Sequence, residues 1–125
     1  MSKTKGNIMV VEDEGVVSID IRNMLQKAGY SIAAVAYKGE EAVKKAKQSS
    51  PDLILMDIGL KGKMNGIETA KRIRDHLDIP VVFLTGFADD TTMAKAKEVD
   101  PSGFIIKPIN EAELNKTLED TLKKI

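Results

Sequence analysis

The sequence has no cysteine, no excess of either charge and no long apolar run. Without cysteine there is no disulfide framework and no thiolate metal site, which fits a reducing compartment. The 19 basic and 19 acidic residues cancel. A general nucleic-acid binder usually carries a basic excess, so no direct nucleic-acid contact is expected. No apolar stretch approaches membrane-spanning length, and the opening MSKTKGNIMVVEDE lacks the apolar region and cleavage site of a signal peptide. The expectation is a soluble, cytoplasmic protein with no membrane partner. Low-complexity segments, repeats and linkers are also missing, so residues 1–125 read as one domain with Met1–Lys5 as a loose tail. That length buries a core without disulfide or metal staples.

What is present alternates between two patterns. Short apolar runs occur at 7–12 (NIMVVE), 31–37 (SIAAVAY), 52–57 (DLILMD), 79–85 (IPVVFLT) and 102–107 (SGFIIK). Most are rich in Val, Ile and Leu, which suits strands covered on both faces of a parallel sheet. The second is the weakest, because Ala33, Ala34 and Ala36 also fit a helix. Between the runs the period changes. Val17, Ile21, Met24, Leu25 and Ala28 fall on one helix face that ends near Gly29. Ala42, Val43 and Ala46 make a shorter stripe, ended by SSP. Ile67, Ala70, Ile73 and Leu77 make a third, and Leu114, Leu118, Leu122 and Ile125 the last. Segment 89–99 is the least apolar, with Met93 and Ala96 as its core candidates. Strand and helix thus alternate five times, which predicts an α/β sheet, doubly wound with helices on both sides.

Ligands of such sheets sit at the carboxyl ends of the strands, where strand order reverses. The third run ends on a carboxylate, Asp57. The first ends on Glu12 and Asp13, the fourth on Thr85 and the fifth on Lys107, before Pro108. With the first and third strands as neighbours, three carboxylates converge. Together they resist ionising unless a cation joins them. Mg²⁺ favours a few carboxylates plus waters and phosphate oxygens. A lysine and a threonine beside it suit phosphoryl chemistry, which is mostly positioning and charge neutralisation, and a carboxylate can itself be the nucleophile.

Five motifs in this order, VVEDE, LILMDIGL, MNGIETAKRIR, PVVFLTG and GFIIKPI, make the chain from Asn7 onward resemble the receiver domain of two-component response regulators. The resemblance implies a five-stranded parallel sheet, flavodoxin-like, of order 2-1-3-4-5 with five helices. It implies a phosphorylation-activated switch in which Asp57 accepts a phosphoryl group from a sensor histidine kinase or phosphotransfer protein, with Mg²⁺. Glu12, Asp13, Asp57 and the Gly59 backbone carbonyl would hold the metal, Thr85 would bond the phosphoryl group, and Lys107 would pair with it. The Lys107–Pro108 bond is expected to be cis. Thr85 and Phe104 would carry the switch to the last two helices and last strand, which control a downstream protein. Such a domain catalyses only its own phosphorylation and dephosphorylation and is not otherwise an enzyme. It is expected to be a monomer or an activation-dependent homodimer. The sequence ends at Ile125, where the resemblance ends, as for a stand-alone regulator or a piece of a longer one.

Each residue alone has an ordinary alternative. Asp57 would be a helix cap or loop residue, Thr85 a strand residue and Lys107 a solvated strand end; Asp13 suits a cap of the following helix. His76 reads as a solvated helix C-terminal residue, favourable for the dipole, and the methionines as core fillers. KGKMNG lacks the spacing and ending of a phosphate loop, so it reads as a loop leading to a helix that starts near Asn65 or Gly66. Two other functions compete. A Mg²⁺ phosphohydrolase with an aspartyl-phosphate intermediate would want an aspartate at position 59, where Gly59 stands. A flavin module would want a phosphate loop after the first strand, where acidic residues stand instead.

The chain departs from the family's common pattern at Phe104, where many relatives have tyrosine, and at Gly86, where alanine is common. Gly59 and Phe87 flank the phosphorylation site and neither can guide a hydrolytic water, so the phosphoryl group is expected to hydrolyse slowly, with Phe87 as a shield. Phosphoryl lifetime, followed by intact mass, should therefore be longer for the wild type than for Phe87→Glu; equal lifetimes would refute the shield.

Overall fold

A computed structural model describes residues 4–86 and 89–123. Met1–Lys3, Phe87, Ala88, Lys124 and Ile125 lie outside the described residues. The elements run β1 (Asn7–Val11), α1 (Gly15–Lys27), β2 (Ser31–Ala36), α2 (Gly39–Ser49), β3 (Leu53–Asp57), α3 (Gly66–Arg74), β4 (Val81–Thr85), α4 (Asp90–Glu98), β5 (Gly103–Ile106) and α5 (Glu111–Lys123). All five strands are parallel, in the order β2-β1-β3-β4-β5. The chain leaves β1 toward β2, then returns to place β3 on β1's other side. Strand order therefore reverses between β1 and β3.

Strand character follows from burial on two faces. Every residue of β3 and β4 is buried. Side chains alternate between faces, so Ile8 and Val10 pack with α1 and α5 while Met9 and Val11 pack toward α2, α3 and α4. Ile21 and Leu25 of α1 and Leu114 and Leu118 of α5 complete the first core; Ala42, Ala46, Ala70, Ile73 and Ala96 line the second. The alanine-rich run 31–36 is a strand after all, and its ambiguity has a cause: β2 is an edge strand and only Ala36 is fully buried. On that outer edge Lys45 Nζ donates to Val35 O at 2.6 Å.

The helix boundaries depart from periodicity in a few places. α3 stops at Arg74, so Leu77 lies beyond it, yet still packs on the core. α1 is capped by Glu14 rather than Asp13, with no side-chain cap bond. α3 begins with a capping box: Asn65 accepts from the Glu68 backbone, and Glu68 accepts from that of Asn65. In α4 only Ala96 is fully buried, and Met93 packs partly against the core. Lys5, expected in a loose tail, donates its backbone N–H to Gly29 O at 3.0 Å. Among the described residues no helix is long and apolar enough to cross a membrane.

Leu55 is fully buried in the central strand that ends at Asp57. Leu55→Ala should destabilise the fold by about 2–5 kcal/mol, through lost transfer energy and the cavity left behind. Urea unfolding monitored by circular dichroism measures this, and a loss well below 1 kcal/mol would contradict the packing described.

Candidate functional site

The sheet register brings the expected residues to one edge. β1 and β3 are neighbours, with Val11 beside Met56, so Glu12 and Asp13 just past β1 meet Asp57, the last residue of β3. One oxygen from each of these three carboxylates lies within 4.8 Å of the others. Thr85 stands one residue beyond Leu84, the ladder partner of Asp57. The Lys107 backbone N–H donates to Thr85 O at 2.9 Å, which carries the lysine past the end of β5 toward the cluster. Its Nζ lies 2.6 Å from Glu12 Oε1 and 3.4 Å from Asp57 Oδ1. The Lys107–Pro108 bond is cis.

The site is largely shielded from water. Glu12 is fully buried, Asp57 is 5% exposed and Thr85 8%, while the Lys107 side chain keeps 20% of its surface. Backbone donors fix the acids: Glu14 N–H to Glu12 Oε2 at 3.1 Å, Gly59 N–H to Asp57 Oδ1 at 2.9 Å, and Lys61 N–H to Asp13 Oδ2 at 3.2 Å. Sequence reasoning missed these donors, since any residue supplies a backbone N–H and only a cluster of acids at the loop would hint at them. For Gly59 the expected group was the carbonyl, and its N–H is the group seen bonding Asp57. Asp57 Oδ2 and the Thr85 hydroxyl make no hydrogen bond among the described residues.

Three carboxylates and one ammonium leave a formal charge of −2, with Glu12 and Asp57 buried and Asp13 half-buried. Burial therefore pushes Glu12 up from 4.5 to about 7, assisted by the Asp57 charge and opposed by Lys107 and the Glu14 N–H. Burial alone would lower the Lys107 pKa, but Glu12 and Asp57 outweigh it and hold the ammonium above its ordinary value. Glu12 Oε1 is buried and faces the Lys107 ammonium at 2.6 Å, with no other partner among the described residues. Three carboxylate oxygens within 4.8 Å of one another, facing a single ammonium, make an all-oxygen donor set of residual negative charge that fits a hard divalent cation.

Other expected residues lie elsewhere. The Phe104 ring packs on Phe83, with centroids 5.9 Å apart, in the core under α3 and α4 rather than against the carboxylates. Asn65 and Gly66 start α3 as the sequence suggests. His76 follows the C-terminus of α3, at the opposite end of the sheet from Asp57. Phe87, expected to shield the site, lies outside the described residues. A groove of about 770 Å³ between Arg74, Gly103 and Asp120 borders the amino ends of β4 and β5, so size does not locate the chemistry.

Comparison with known proteins agrees with this geometry. Residues 8–119 match the sequence model of the response regulator receiver domain. The chain is 30% identical over 112 residues to the transcriptional regulatory protein PdtaR of Mycobacterium tuberculosis, covering 90% of this chain and 54% of that protein. It is 33% identical over 118 residues to the transcriptional regulatory protein YvrH of Bacillus subtilis, covering 94% and 49%. The chain thus spans about half the length of these curated relatives. Among solved structures it is similar to the signal receiver domain of a modulated diguanylate cyclase from Desulfovibrio desulfuricans, with a TM-score of 0.91, 34% identity and coverage of 95% and 94%.

The Glu12 shift has a signed consequence in metal-free protein. Its folded pKa of about 7 exceeds the ordinary 4.5, so its stabilising contribution is complete below pH 4.5 and is lost as pH rises through about 7. Urea midpoints in EDTA should fall across that window. Glu12→Gln should remove that part of the fall, on the order of 3 kcal/mol at most. An unchanged slope in the variant would refute the assignment.

Proposed function

This chain belongs to the response regulator receiver domain family, and from that premise we propose that Asp57 is its phosphoacceptor. The observation that carries the reading is the convergence of the Lys107 ammonium on Asp57 and Glu12 at the strand-order reversal. Asp57 Oδ1 is held by Gly59 N–H, which leaves Oδ2 to attack phosphorus. A P–O bond forms as the P–N bond to the donor's phosphohistidine breaks. Lys107 neutralises charge on the phosphoryl oxygens, and the Thr85 hydroxyl donates to one of them. Glu12, Asp13, Asp57 and the Gly59 carbonyl would hold Mg²⁺, which would supply neutralisation of the charge on those oxygens.

The chain acts as a switch, not as an enzyme on other substrates. Phosphorylation favours one of two populations of the same fold. Thr85 moves toward the new group and Phe104 follows, altering the surface of α4, β5 and α5. The weak anchoring of α4, through a single fully buried residue, supports this choice of moving element. The donor is a sensor histidine kinase or phosphotransfer protein, the target is a downstream protein, and the chain works in the cytoplasm as a monomer or an activation-dependent homodimer. Residues 1–125 are read as one receiver domain, without nucleic-acid contact of their own. A phosphohydrolase reading lacks its general acid, because Gly59 stands two residues after Asp57.

Intact mass after incubation with acetyl phosphate tests the reading. The wild type should gain one phosphoryl group only with Mg²⁺, and Asp57→Asn should gain none. Uptake by Asp57→Asn at the wild-type rate would sink the assignment.

A further inference from the structure

Two glycines at helix starts are packed too closely for any side chain. A Cβ on Gly66 would overlap the backbone carbonyl oxygen of Asp57 and lie 2.9 Å from Ile58 Cα. A Cβ on Gly39 would overlap Thr69 Oγ1 and lie 3.0 Å from Met64 Cβ. Neither glycine has positive φ, so what each position demands is space, not backbone freedom.

These two contacts are joined by hydrogen bonds. Thr69 is fully buried. Both its backbone N–H and its hydroxyl donate to Asn65 O, at 3.0 and 2.7 Å. Asn65 caps α3 and immediately precedes Gly66, whose N–H donates to Ile58 O at 3.2 Å. The path runs from the start of α2, through one threonine, to the backbone behind Asp57. A dense interior transmits such a displacement instead of absorbing it.

We propose that Gly39 is a positioning residue for Asp57, acting through Thr69, Asn65 and Gly66. It touches no reacting atom. Its missing side chain lets α2 seat against Thr69, which holds the Asn65–Gly66 turn against Asp57 and so sets the carboxylate relative to Lys107 and the metal ligands. The start of α2 is thereby a place from which the phosphoacceptor can be adjusted without entering its pocket. This rests on the phosphoacceptor reading above.

The test measures the initial rate of phosphorylation by acetyl phosphate, and Mg²⁺ affinity, well below each protein's melting temperature. Gly39→Ala should slow phosphorylation at least about five-fold and weaken Mg²⁺ binding. Adding Thr69→Ala removes the overlapped oxygen, so the double variant should return to within about two-fold of Thr69→Ala alone. Ala46→Gly, a buried change in the same helix, is the control for general destabilisation: it should lower the melting temperature and leave rate and affinity unchanged. The proposal falls if Gly39→Ala matches the wild type in both readouts, if Ala46→Gly slows the reaction as much, or if the double variant fails to recover. A wild type that takes up no phosphoryl group fails the functional reading instead, and Mg²⁺ affinity then still decides the role of Gly39.

Discussion

Glu12, Asp13 and Asp57 sit within a few ångströms of one another, two of them buried, and mutual repulsion is the constraint around which the rest is arranged. Lys107 offsets part of the negative charge and is itself held charged by the acids it faces. It reaches them only because β5 lies two strands from β3 and its chain continues along Thr85. Backbone N–H groups offset a further share, at fixed positions and without adding a full charge. The remaining negative charge is what a bound cation would offset in the proposed function. Groups arranged in advance around charge that appears only on binding or reaction are most effective where water is excluded.

The fold provides that exclusion through ordinary means. β3 and β4 are buried along their whole length, so the strand that carries Asp57 is firmly held on packing grounds. The opposite holds for α4, whose contact with the core is slight. If the proposed chemistry takes place at Asp57, a rigid centre beside a loosely held helix suits a device that acts at one place and reports at another.

How much of this was legible depended on whether a feature leaves a pattern. The five runs became five strands within a residue or two, because burial on both faces selects apolar residues at every position. Asp57, Glu12 and Lys107 stood out because charge at the end of such a run is chemically conspicuous. Periodicity overran at Leu77, where an apolar residue keeps the helical spacing after the chain has left the helix. Asp13 suited a cap by type, but the helix begins one residue later and Asp13 accepts from Lys61 instead. The tight places at Gly39 and Gly66 were illegible, since a glycine kept small for a distant neighbour looks like one kept for a turn.

The two margins of the sheet are not equivalent. On β2 the ammonium of Lys45 occupies an outward backbone carbonyl; among the described residues no such side-chain bond reaches β5, which instead presents Ile106 at 60% exposure. Lysine at a margin discourages strand addition. The asymmetry gives the sheet one guarded margin and one unguarded margin, so strand addition at β2 must first displace a lysine and at β5 need not.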